Sequence, residues 1–539
     1  MRIFSRIFSA ANRTISFDGI LSAEVFNACS RQASCSSAVM LVALLGALGA
    51  LLVALLLRKT NVPGPVLARW TPLWLAWHAW RGRRYAAVHE AHQRHGPIIR
   101  IAPNHISIAS PAGDALSFVY AQGPAALPKS TFYDAFVANG KPSIFSTRDR
   151  QAHSDKRRLV SNAFSTAALK QFIPLIHARI ERFAEKMDGL ASEGGYFDAL
   201  VWFNYLAFDI LSDLAFGKAI GMVERGSDVV ELTGADGRKV FVNAIALVDE
   251  REHFAAVVGI HPGFRYLARM LPFLEGNRAT ASLEDLARQH VQERLESGVS
   301  RDDILGKLIE ARCLSEPGKT PTQGEIAELT AESVTLLIAG SDTTSNSIAV
   351  ILHLIVTHPR VHNKLLDLLR ASTAADTMDS DIDSCEYERA RSAPYLLAAI
   401  NEGLRLHSIT AIGLPRVVQS GGDWFGGHYI PEGTEVSVPA WTICHDTELW
   451  GPDAHVFRPE RWLEESEGRE LKRYLMTFGK GPRACIGQNL AYIEITSVLA
   501  MILLRYKVSV QSENLQTVEG FMHKPVNCFL RLERSNGLR

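Results

Sequence analysis

The hydrophobic pattern near the start of the chain predicts a membrane span. Residues 38–57 read AVMLVALLGALGALLVALLL, which is twenty apolar positions without a charged side chain. At about 1.5 Å of rise per residue, a helix of this length matches the hydrocarbon thickness of a bilayer. Arg58 and Lys59 follow the span, and only Arg31 lies close before it. Positive-inside counting therefore predicts a single-pass anchor with the C-terminal part in the cytosol.

This span divides the chain into four predicted segments. Residues 1–37 form an N-terminal leader that could be lumenal, and residues 38–57 form the transmembrane anchor. Residues 58–66 contain Asn-Val-Pro-Gly-Pro, in which two prolines around a glycine favour a stiff, non-helical connector. Residues 67–539 form one large domain.

The periodicity of the large domain predicts a mainly helical fold with a small antiparallel β part. Residues 77–94 have helical spacing, and residues 199–217 are so densely apolar that they predict a buried core helix. Two alternating runs on either side of Pro103 predict a β-hairpin, and residues 424–439 alternate between turns and short strands. Residues 253–274 mix aromatic and basic side chains, which is typical of either a surface helix pair or a segment resting on a membrane.

Charge and cysteine content exclude several classes of protein. The 539 residues include 57 acidic and 57 basic side chains, so no excess of positive charge points to nucleic acid. Seven cysteines are scattered without a C-x-x-C pair, which argues against a zinc site and a disulfide framework. The large domain is therefore expected in a reducing compartment.

One cysteine lies in a context that suits a reactive thiolate. Cys485 follows a glycine-rich loop and precedes a helix-like segment, residues 488–504. The N–H groups and positive dipole at a helix N-terminus favour a cysteine anion. Gly479, Gly481 and Gly487 can take positive φ and allow a flat, large group to approach the backbone. Arg483 has a guanidinium that suits a carboxylate, so thiolate and arginine together indicate an axial haem ligand.

The loop reads F-x-x-G-x-R-x-C-x-G and resembles the haem-binding loop of the cytochrome P450 family. The matching positions are Phe478, Gly481, Arg483, Cys485 and Gly487. A buried structural cysteine before a core helix is the alternative for this loop taken alone. The resemblance extends over roughly residues 60–535 and implies the P450 fold and a haem b cofactor bound through Cys485.

A polar cluster in a long apolar helix has the chemistry of proton delivery. Residues 320–357 predict one very long helix that begins with a capping box at Thr320 and Gln323. Its middle reads Ala-Gly-Ser-Asp-Thr-Thr at residues 339–344, residue types that favour a local opening of the hydrogen-bond ladder. The run resembles the oxygen-activating helix of the family, in which Asp342 and Thr343 would deliver protons. A kinked helix with solvated polar residues is the alternative.

Further cofactor contacts are implied by family position. His153 and Arg157 share one helical face at i, i+4 spacing, and the resemblance makes them donors to the haem propionates. Arg416 is a third candidate donor. Taken alone, the basic run around His153 could equally be a solvated helix face.

Three other charged residues are expected to be structural. Glu402 and Arg405 lie at i, i+3, and Arg461 follows in Phe-Arg-Pro-Glu-Arg-Trp at residues 457–462. This run resembles the family element in which such an arginine joins a buried charge network near the haem loop. Loss of one partner would leave a buried charge unpaired.

The resemblance also implies partners and location. The chain has no G-x-G-x-x-G after a strand, so it has no nicotinamide or flavin domain of its own. Electrons are expected from NADPH through a separate FAD/FMN protein, NADPH-cytochrome P450 reductase, docking near Lys472, Arg473 and Lys480. The other expected partners are membrane lipid, O2 and a small hydrophobic or aromatic substrate, and the expected location is the endoplasmic reticulum membrane.

Within the family, the chain is similar to fungal benzoate 4-monooxygenase-like members. The shared runs include residues 132–137 and 202–209, and residues 408–412 are expected to face the distal pocket. Ile409 stands where a hydroxyl-bearing pocket residue is expected, which weakens the case for a carboxylate substrate. The alternatives are a monooxygenase that tailors an aromatic, polyketide or terpenoid intermediate of fungal secondary metabolism, a redox-independent haem-thiolate isomerase or dehydratase, and a non-enzymatic haem sensor.

Overall fold

A computed structural model describes most of the large domain. It covers residues 62–109, 114–233, 239–298, 301–313, 321–375, 393–464 and 467–535, together with Gly46 and Gly49. The predicted leader and, apart from those two glycines, the predicted anchor therefore lie outside the described residues. Chain contacts define two compact units, 1–61 and 62–539. The boundary between them falls inside the predicted connector.

Helices dominate the described part of the chain. They are α1 Leu73–Trp80, α2 Arg84–His95, α3 Ala115–Val119, α4 Arg150–Ser161, α5 Thr166–Glu193, α6 Ala199–Phe216, α7 Met222–Arg225, α8 Ala244–Val258, α9 Pro262–Arg269, α10 Glu275–Ser297, α11 Ile304–Cys313, α12 Gln323–Thr357, α13 Pro359–Ala375, α14 Pro394–Leu406, α15 Ala440–Cys444, α16 Thr447–Trp450, α17 Glu467–Lys472 and α18 Gln488–Arg505. Short 3-10 helices include Thr131–Phe136, Pro459–Trp462 and Gly481–Arg483. The predicted mainly helical class is confirmed.

The strands form small sheets at the edges of the helical body. They are β1 Ile98–Ala102, β2 His105–Ile108, β3 Phe197–Asp198, β4 Val229–Thr233, β5 Lys239–Asn243, β6 Arg416–Val417, β7 Asp423–Phe425, β8 His428–Ile430, β9 Glu435–Ser437, β10 Tyr506–Val510, β11 Gln516–Glu519, β12 His523–Val526 and β13 Phe529–Arg534. The largest sheet has the order β1-β2-β9-β6, and β10-β13-β3 forms a second one.

One strand pair differs from the predicted antiparallel pattern. The hairpin of β1 and β2 around Pro103 is antiparallel, as predicted. However, β9 pairs with β2 in parallel, with His105 opposite Glu435. Parallel strands need a long connection, and these two are more than 300 residues apart in the chain. Local alternation cannot reveal a pairing of this kind.

The long helix α12 is the spine of the domain. It packs against α6, α10, α14 and α18, and nearly all of its central side chains are buried. Helix α6 is the one described helix that is long and apolar enough to cross a membrane, but most of it is buried inside the protein. Its apolar side chains therefore belong to the core, as the sequence predicted for residues 199–217.

Two helix starts differ from the prediction. The helical run at residues 77–94 is broken into α1 and α2, because Gly82 takes a left-handed φ of 65° between them. The cap of α12 is Thr322, whose Oγ1 accepts the Glu325 N–H while the Glu325 carboxylate accepts the Thr322 N–H. Thr320, the predicted cap, lies outside the described residues. A glutamate carboxylate makes a stronger, charge-assisted hydrogen bond to the cap N–H than the side-chain amide of Gln323 would make. This difference favours Thr322 over Thr320 as the cap.

The connector is fixed to the sheet by its described residues, 62–65, which are non-helical as predicted. The Pro63 carbonyl accepts the Arg100 N–H at 2.7 Å. A Cβ at Gly64 would lie 2.3 Å from the Arg100 carbonyl oxygen, so only glycine permits this approach. The chain therefore enters the domain along β1.

Glu402, Arg405 and Arg461 form the predicted buried charge network. All three are almost fully buried. Glu402 Oε1 accepts from Arg405 Nη2 at 2.8 Å and from Arg461 Nε at 2.9 Å. Trp462 Nε1 donates to Glu402 Oε2 at 2.9 Å. The two guanidiniums also donate to backbone carbonyls, so the network joins α14 to the segment that precedes the Cys485 loop.

This network predicts a large stability loss when its acid is removed. Glu402→Ala would leave the buried Arg405 guanidinium without its carboxylate and Arg461 with Asp453 alone, which costs about 3–5 kcal/mol. Glu181→Ala is the matched control, because Glu181 pairs with Arg505 at the surface and its loss costs about 1 kcal/mol or less. Urea unfolding of both variants measures the difference. Equal losses of unfolding free energy in the two variants would show that the buried network does not stabilise the fold more than a surface ion pair does.

Candidate active site

The Cys485 loop is a compact turn held by its backbone. The Cys485 N–H donates to the Phe478 carbonyl at 2.7 Å, and the Phe478 ring lies 5.2 Å from that of Tyr492. Gly481 takes a φ of 71°, and a Cβ there would lie 2.3 Å from the Tyr120 carbonyl oxygen. Only glycine therefore fits at residue 481.

Gly487 differs from the prediction of positive φ. It caps α18 with a φ of −83°, which any residue can adopt. A Cβ at residue 487 would come within 4.0 Å of the Cys485 sulfur. The absent side chain therefore leaves space beside the sulfur, and backbone freedom is not the reason for glycine here.

The Cys485 thiol combines burial with hydrogen-bond donors. Burial raises its pKa, whereas the N–H groups of Gly487 and Gln488 and the charge of Arg157 lower it. Burial outweighs these groups, so the helix N-terminus alone does not give the predicted low pKa. Cys485 nevertheless has accessible surface, and we infer that this surface faces an internal hollow. A bound metal ion would deprotonate such a thiol and supply the missing positive charge.

Five basic side chains converge beside this loop. They come from separate elements of the fold, and they are Lys129, His153, Arg157, Arg416 and Arg483. We call them the cation cluster. Burial lowers the pKa of His153 to about 3, and the other four members lower it further in the order Arg483, Lys129, Arg157 and Arg416, so His153 is the neutral member. The structure thus brings together His153, Arg157, Arg416 and Arg483, which the sequence predicted separately.

The arginines of the cation cluster are held by carbonyl and hydroxyl oxygens. Arg157 Nη1 donates to the Ala484 carbonyl at 2.8 Å, and Arg483 Nη1 donates to the Thr147 carbonyl at 2.7 Å. Arg416 Nη1 donates to the Tyr133 hydroxyl at 2.7 Å. Burial and then Arg416 lower the pKa of Arg483 to about 10. Within the described residues, the hydrogen-bond partners of these three arginines are therefore neutral oxygens and not carboxylates.

Lys129 is the member that the sequence did not reveal. It is buried, its Nζ donates to the Phe145 carbonyl and lies 4.4 Å from the centre of the Tyr133 ring, and its backbone pairs with Arg416. Burial, and then the charges of Arg416, Arg483 and Arg157, lower its pKa well below the usual value. Because the partners are distant in the chain, no local pattern marks this lysine.

One face of α12 keeps accessible surface in its middle. Thr335, Ala339 and Thr343 are spaced four residues apart and are partly or fully exposed, whereas most side chains around them are buried. On another side of the helix, Gly340 lets Leu211 approach, since a Cβ there would lie 2.7 Å from the leucine side chain. The helix thus packs tightly on α6, and we infer that its accessible face at Thr343 borders the hollow at Cys485.

The polar run of α12 does not open the helix. The helix is continuous through residues 339–344. The Thr343 hydroxyl donates to the Ala339 carbonyl at 2.6 Å, and the Ser341 hydroxyl donates to the Leu337 carbonyl at 2.6 Å. These bonds satisfy the hydroxyls within their own turn, which explains why the predicted opening is absent.

Asp342 belongs to a second charged group, separate from the cation cluster. It is buried, and its side chain interacts with Glu252, Asp249 and Lys524. None of these three partners was recognised in the sequence. They lie on α8 and β12, far from Asp342 in the chain.

An aromatic cluster adjoins both groups. Phe132, Phe136, Phe145 and Phe521 contact one another with ring centroids 4.7–6.2 Å apart. Ile409 and Ile412 pack with them in the same core, which agrees with the expected position of residues 408–412. The rings therefore form a buried, apolar cluster beside the two charged groups.

A cavity of about 590 Å³ lies on the outer side of the Cys485 loop. Phe478 and Tyr492 line it, and Lys170, Lys472 and Lys480 surround it. Of the basic residues predicted here, Lys472 is exposed, but Arg473 pairs with Asp114 and Lys480 donates to the Lys472 carbonyl.

The residues present fit a haem. The cation cluster calls for a ligand with more than one carboxylate, and a haem carries two propionates. Cys485 supplies a sulfur with space beside it at Gly487, and α12 supplies an accessible face at Ala339. Sulfur, propionate partners and a hollow are the elements that a haem-thiolate site requires.

Comparison with known proteins identifies the family. The family model described as Cytochrome P450 matches residues 63–531. Benzoate 4-monooxygenase bphA of Aspergillus niger is 37% identical over 494 residues, which is 88% of this chain and 92% of that protein.

Other fungal relatives cover a similar share of the chain. Pisatin demethylase of Fusarium vanettenii is 31% identical over 84% of this chain and 85% of its own length. Cytochrome P450 monooxygenase cicH of Emericella nidulans is 29% identical over 89% of this chain and 95% of its own length. The chain belongs to the cytochrome P450 family of haem-thiolate monooxygenases.

Proposed function

We propose that this chain is a membrane-anchored monooxygenase that hydroxylates benzoate or a related aromatic acid. The observation that carries the proposal is the cation cluster beside Cys485, because it leaves buried positive charge that haem propionates would balance. A bound haem supplies the activation of dioxygen and the oxidation of a C–H bond. The protein supplies the ligand, the proton donors and a dry, shaped pocket.

The cofactor contacts follow from the geometry. Cys485 would provide the axial thiolate, steadied by the N–H groups of Gly487 and Gln488. His153, Arg157, Arg416, Arg483 and Lys129 would donate to the propionates. His153 would do so as a neutral imidazole, because burial and its cationic neighbours keep its pKa at about 3. The glycines at 481 and 487 would keep the loop close to the ring, and Phe478 would pack beside the sulfur.

Thr343 and Asp342 would deliver protons to the hollow. The Thr343 hydroxyl faces the accessible side of α12 and donates to the Ala339 carbonyl at rest. To serve the hollow, the hydroxyl must turn away from that carbonyl. Asp342 is buried next to it and can hold a proton away from bulk water. Separation from water keeps protons from reaching the reaction in an uncontrolled way.

Electrons would come from NADPH through a flavoprotein reductase that contains FAD and FMN. The cavity outside the Cys485 loop supports this site, because exposed Lys170 and Lys472 would meet acidic side chains of a partner. Its position on the outer side of the loop gives a short path to the sulfur. Arg473 contributes less, because Asp114 already neutralises it.

Similarity and pocket chemistry support an aromatic substrate. The relative bphA is named a benzoate 4-monooxygenase, and pisatin demethylase is also among the relatives. Phe132, Phe136, Phe145 and Phe521 would stack against a ring through edge and tilted contacts. A flat aromatic substrate fits such a surface better than a flexible chain does.

A second candidate substrate is an aromatic, polyketide or terpenoid biosynthetic intermediate without a carboxylate. Ile409, which is buried in the aromatic cluster, favours it because this residue brings no hydrogen-bond donor. Asp249, Glu252 and Asp342 outnumber Lys524 beside the same cluster, and acidic groups disfavour an anionic ligand.

Membrane attachment would use two surfaces. The predicted anchor, residues 38–57, would cross the endoplasmic reticulum membrane once and leave the domain in the cytosol. Large apolar side chains also remain exposed on and near α1 and α9; they are Leu67, Leu73, Trp77, Trp80, Tyr266, Leu267, Met270 and Phe273. Exposed aromatic and aliphatic side chains of this kind suit a membrane interface.

One experiment on microsomes tests the proposed function. We expect the full chain to remain in the membrane after alkaline extraction, and we expect added benzoate to shift the oxidised haem from low to high spin. With reductase, hydroxybenzoate should form only when NADPH is present. A high-spin shift and turnover with a carboxylate-free aromatic compound, but not with benzoate, would favour the second candidate. Turnover without NADPH would contradict a monooxygenase and indicate an isomerase, and haem binding without turnover would indicate a sensor.

A pair of adjacent variants tests the propionate contacts. Arg157→Ala removes a half-buried member of the cation cluster, and one lost charge-assisted bond costs about 1.5–3 kcal/mol. We expect roughly tenfold weaker haem retention, measured as haem absorbance per protein during transfer to apomyoglobin. The haem-free protein should not lose stability to the same extent, because the remaining cations repel one another less.

Arg158→Ala is the matched control for that variant. Arg158 is the next residue of α4, but its side chain is exposed and pairs with Asp155 at the surface. It should keep haem as well as the unaltered chain does. Equal retention in the two variants would contradict the assignment of Arg157 to a propionate.

A further inference from the structure

The buried acid Asp342 has an oxygen without a donor. Asp342 is 2% exposed, and no hydrogen-bond donor in the described part of the chain reaches its Oδ2. Its backbone carbonyl is occupied, because Asn346 Nδ2 donates to it at 2.6 Å and Ser345 Oγ at 3.1 Å. A buried carboxylate oxygen that lacks a donor is costly, so the neighbouring groups are informative.

The neighbour of Asp342 is a second buried acid, Glu252 of α8. A side-chain hydrogen bond with Asp342 is among the interactions that raise the pKa of Glu252, and both side chains are buried, Glu252 being 5% exposed. Two carboxyl groups can form a hydrogen bond only if one of them keeps its proton. Burial, and then the charge of Asp342, raise the pKa of Glu252 well above its usual value. Glu252 is therefore the protonated partner, and its O–H is the donor that Asp342 lacks.

A charged pair continues from Glu252 towards the surface. Asp249 lies three residues before Glu252 on the same face of α8, and it forms an ion pair with Lys524 of β12. The Asp249 side chain is 39% exposed, whereas that of Lys524 is 17% exposed. Burial lowers the pKa of Lys524, but Asp342 and Asp249 raise it more, so the lysine stays charged. Together, these four side chains extend from the solvent-exposed surface to the middle of α12; they are Asp249, Lys524, Glu252 and Asp342.

Arg251 and Glu250 are the other charged groups near Glu252. Arg251 is buried, and its Nη2 donates to the Phe136 carbonyl at 3.3 Å. Burial lowers the pKa of Arg251, and the acids Glu252 and then Glu284 of α10 act against this effect. The Glu284 carboxylate accepts the Asn139 N–H. Glu250 is exposed and acts weakly on Asp249. None of them replaces Glu252 as the donor to Asp342.

We propose that Glu252 and Asp342 share one proton, and that Glu252 restores the proton that Asp342 gives up during each turnover. In this step the O–H bond of the Glu252 carboxyl breaks and an O–H bond forms on the Asp342 carboxylate. Glu252 then regains a proton from solvent at the Asp249–Lys524 pair. Glu252 acts through Asp342, so it is a positioning residue. The inference rests on the proposed proton role of Asp342.

Glu252→Gln tests the shared proton without measuring turnover. The protonated Glu252 should give a carboxylic acid C=O stretch in the infrared spectrum, which shifts in D2O and disappears in the variant. Because Glu252 keeps its proton when folded and loses it when unfolded, stability should fall as pH rises above the usual glutamate range. At neutral pH the variant should release about one fewer proton on unfolding, as measured by calorimetry in two buffers. Glu250→Gln, on the exposed side of the same helix, should change neither result.

Turnover separates the two proposals. We expect Glu252→Gln to send several-fold more NADPH-derived electrons to hydrogen peroxide, and we expect Glu252→Asp to restore part of the coupling. If Asp342→Asn leaves coupling unchanged, the proposed role of Asp342 is wrong. The other contrary outcome has two parts: Asp342→Asn uncouples the reaction, whereas folded, haem-loaded Glu252→Gln stays coupled and keeps the infrared band. That result would show that Asp342 delivers protons and that Glu252 does not supply them.

Discussion

Positive charge that the described residues do not balance is the constraint on which this structure depends. Arg416, Arg483 and Arg157 lower the pKa of the buried Lys129, and Lys129 and the same three arginines lower the pKa of His153. Two like charges 4 Å apart repel by about 4 kcal/mol at an effective dielectric constant near 20. The chain tolerates this arrangement because the Glu402 network and the spine helix α12 hold the surrounding elements in place. An anionic cofactor then gains binding energy from a site that the fold has already assembled.

The charge is arranged in two groups of opposite sign. The cation cluster lies beside Cys485, where a haem would present its propionates. The acids Asp249, Glu252 and Asp342 lie beside the accessible face of α12, with Lys524 as their counter-charge. With this separation, the cation cluster would bind an anionic cofactor, and the acids beside α12 would hold a proton for delivery. The aromatic cluster adjoins both groups and keeps water from the substrate.

Much of this could be predicted from the sequence where the signal is local. The Cys485 loop, the core helix α6, the long helix α12 and the hairpin of β1 and β2 each depend on residues close together in the chain. His153 and Arg157 could be placed by family position, and the structure brings them to Arg416 and Arg483. Burial at Cys485 outweighs the helix N-terminus, an effect of tertiary packing that spacing cannot show.

Features that depend on distant residues could not be predicted. Lys129 joins the cation cluster because its backbone pairs with Arg416, and Glu252 interacts with Asp342 because the fold brings α8 close to α12. The parallel pairing of β2 with β9 and the unbroken hydrogen bonding of α12 have the same origin. In each case a weak local preference is decided by a contact made elsewhere in the fold.

The most direct test of the account is the carbon monoxide difference spectrum of the dithionite-reduced protein. Cys485, Cys444 and Cys528 are free cysteines in the described part of the chain, and the last two are buried. The account predicts the red-shifted Soret band of a thiolate-bound haem in the unaltered chain and in Cys528→Ala, and its loss in Cys485→Ala. The same band in folded Cys485→Ala would contradict the account, and so would its absence from the folded, unaltered chain.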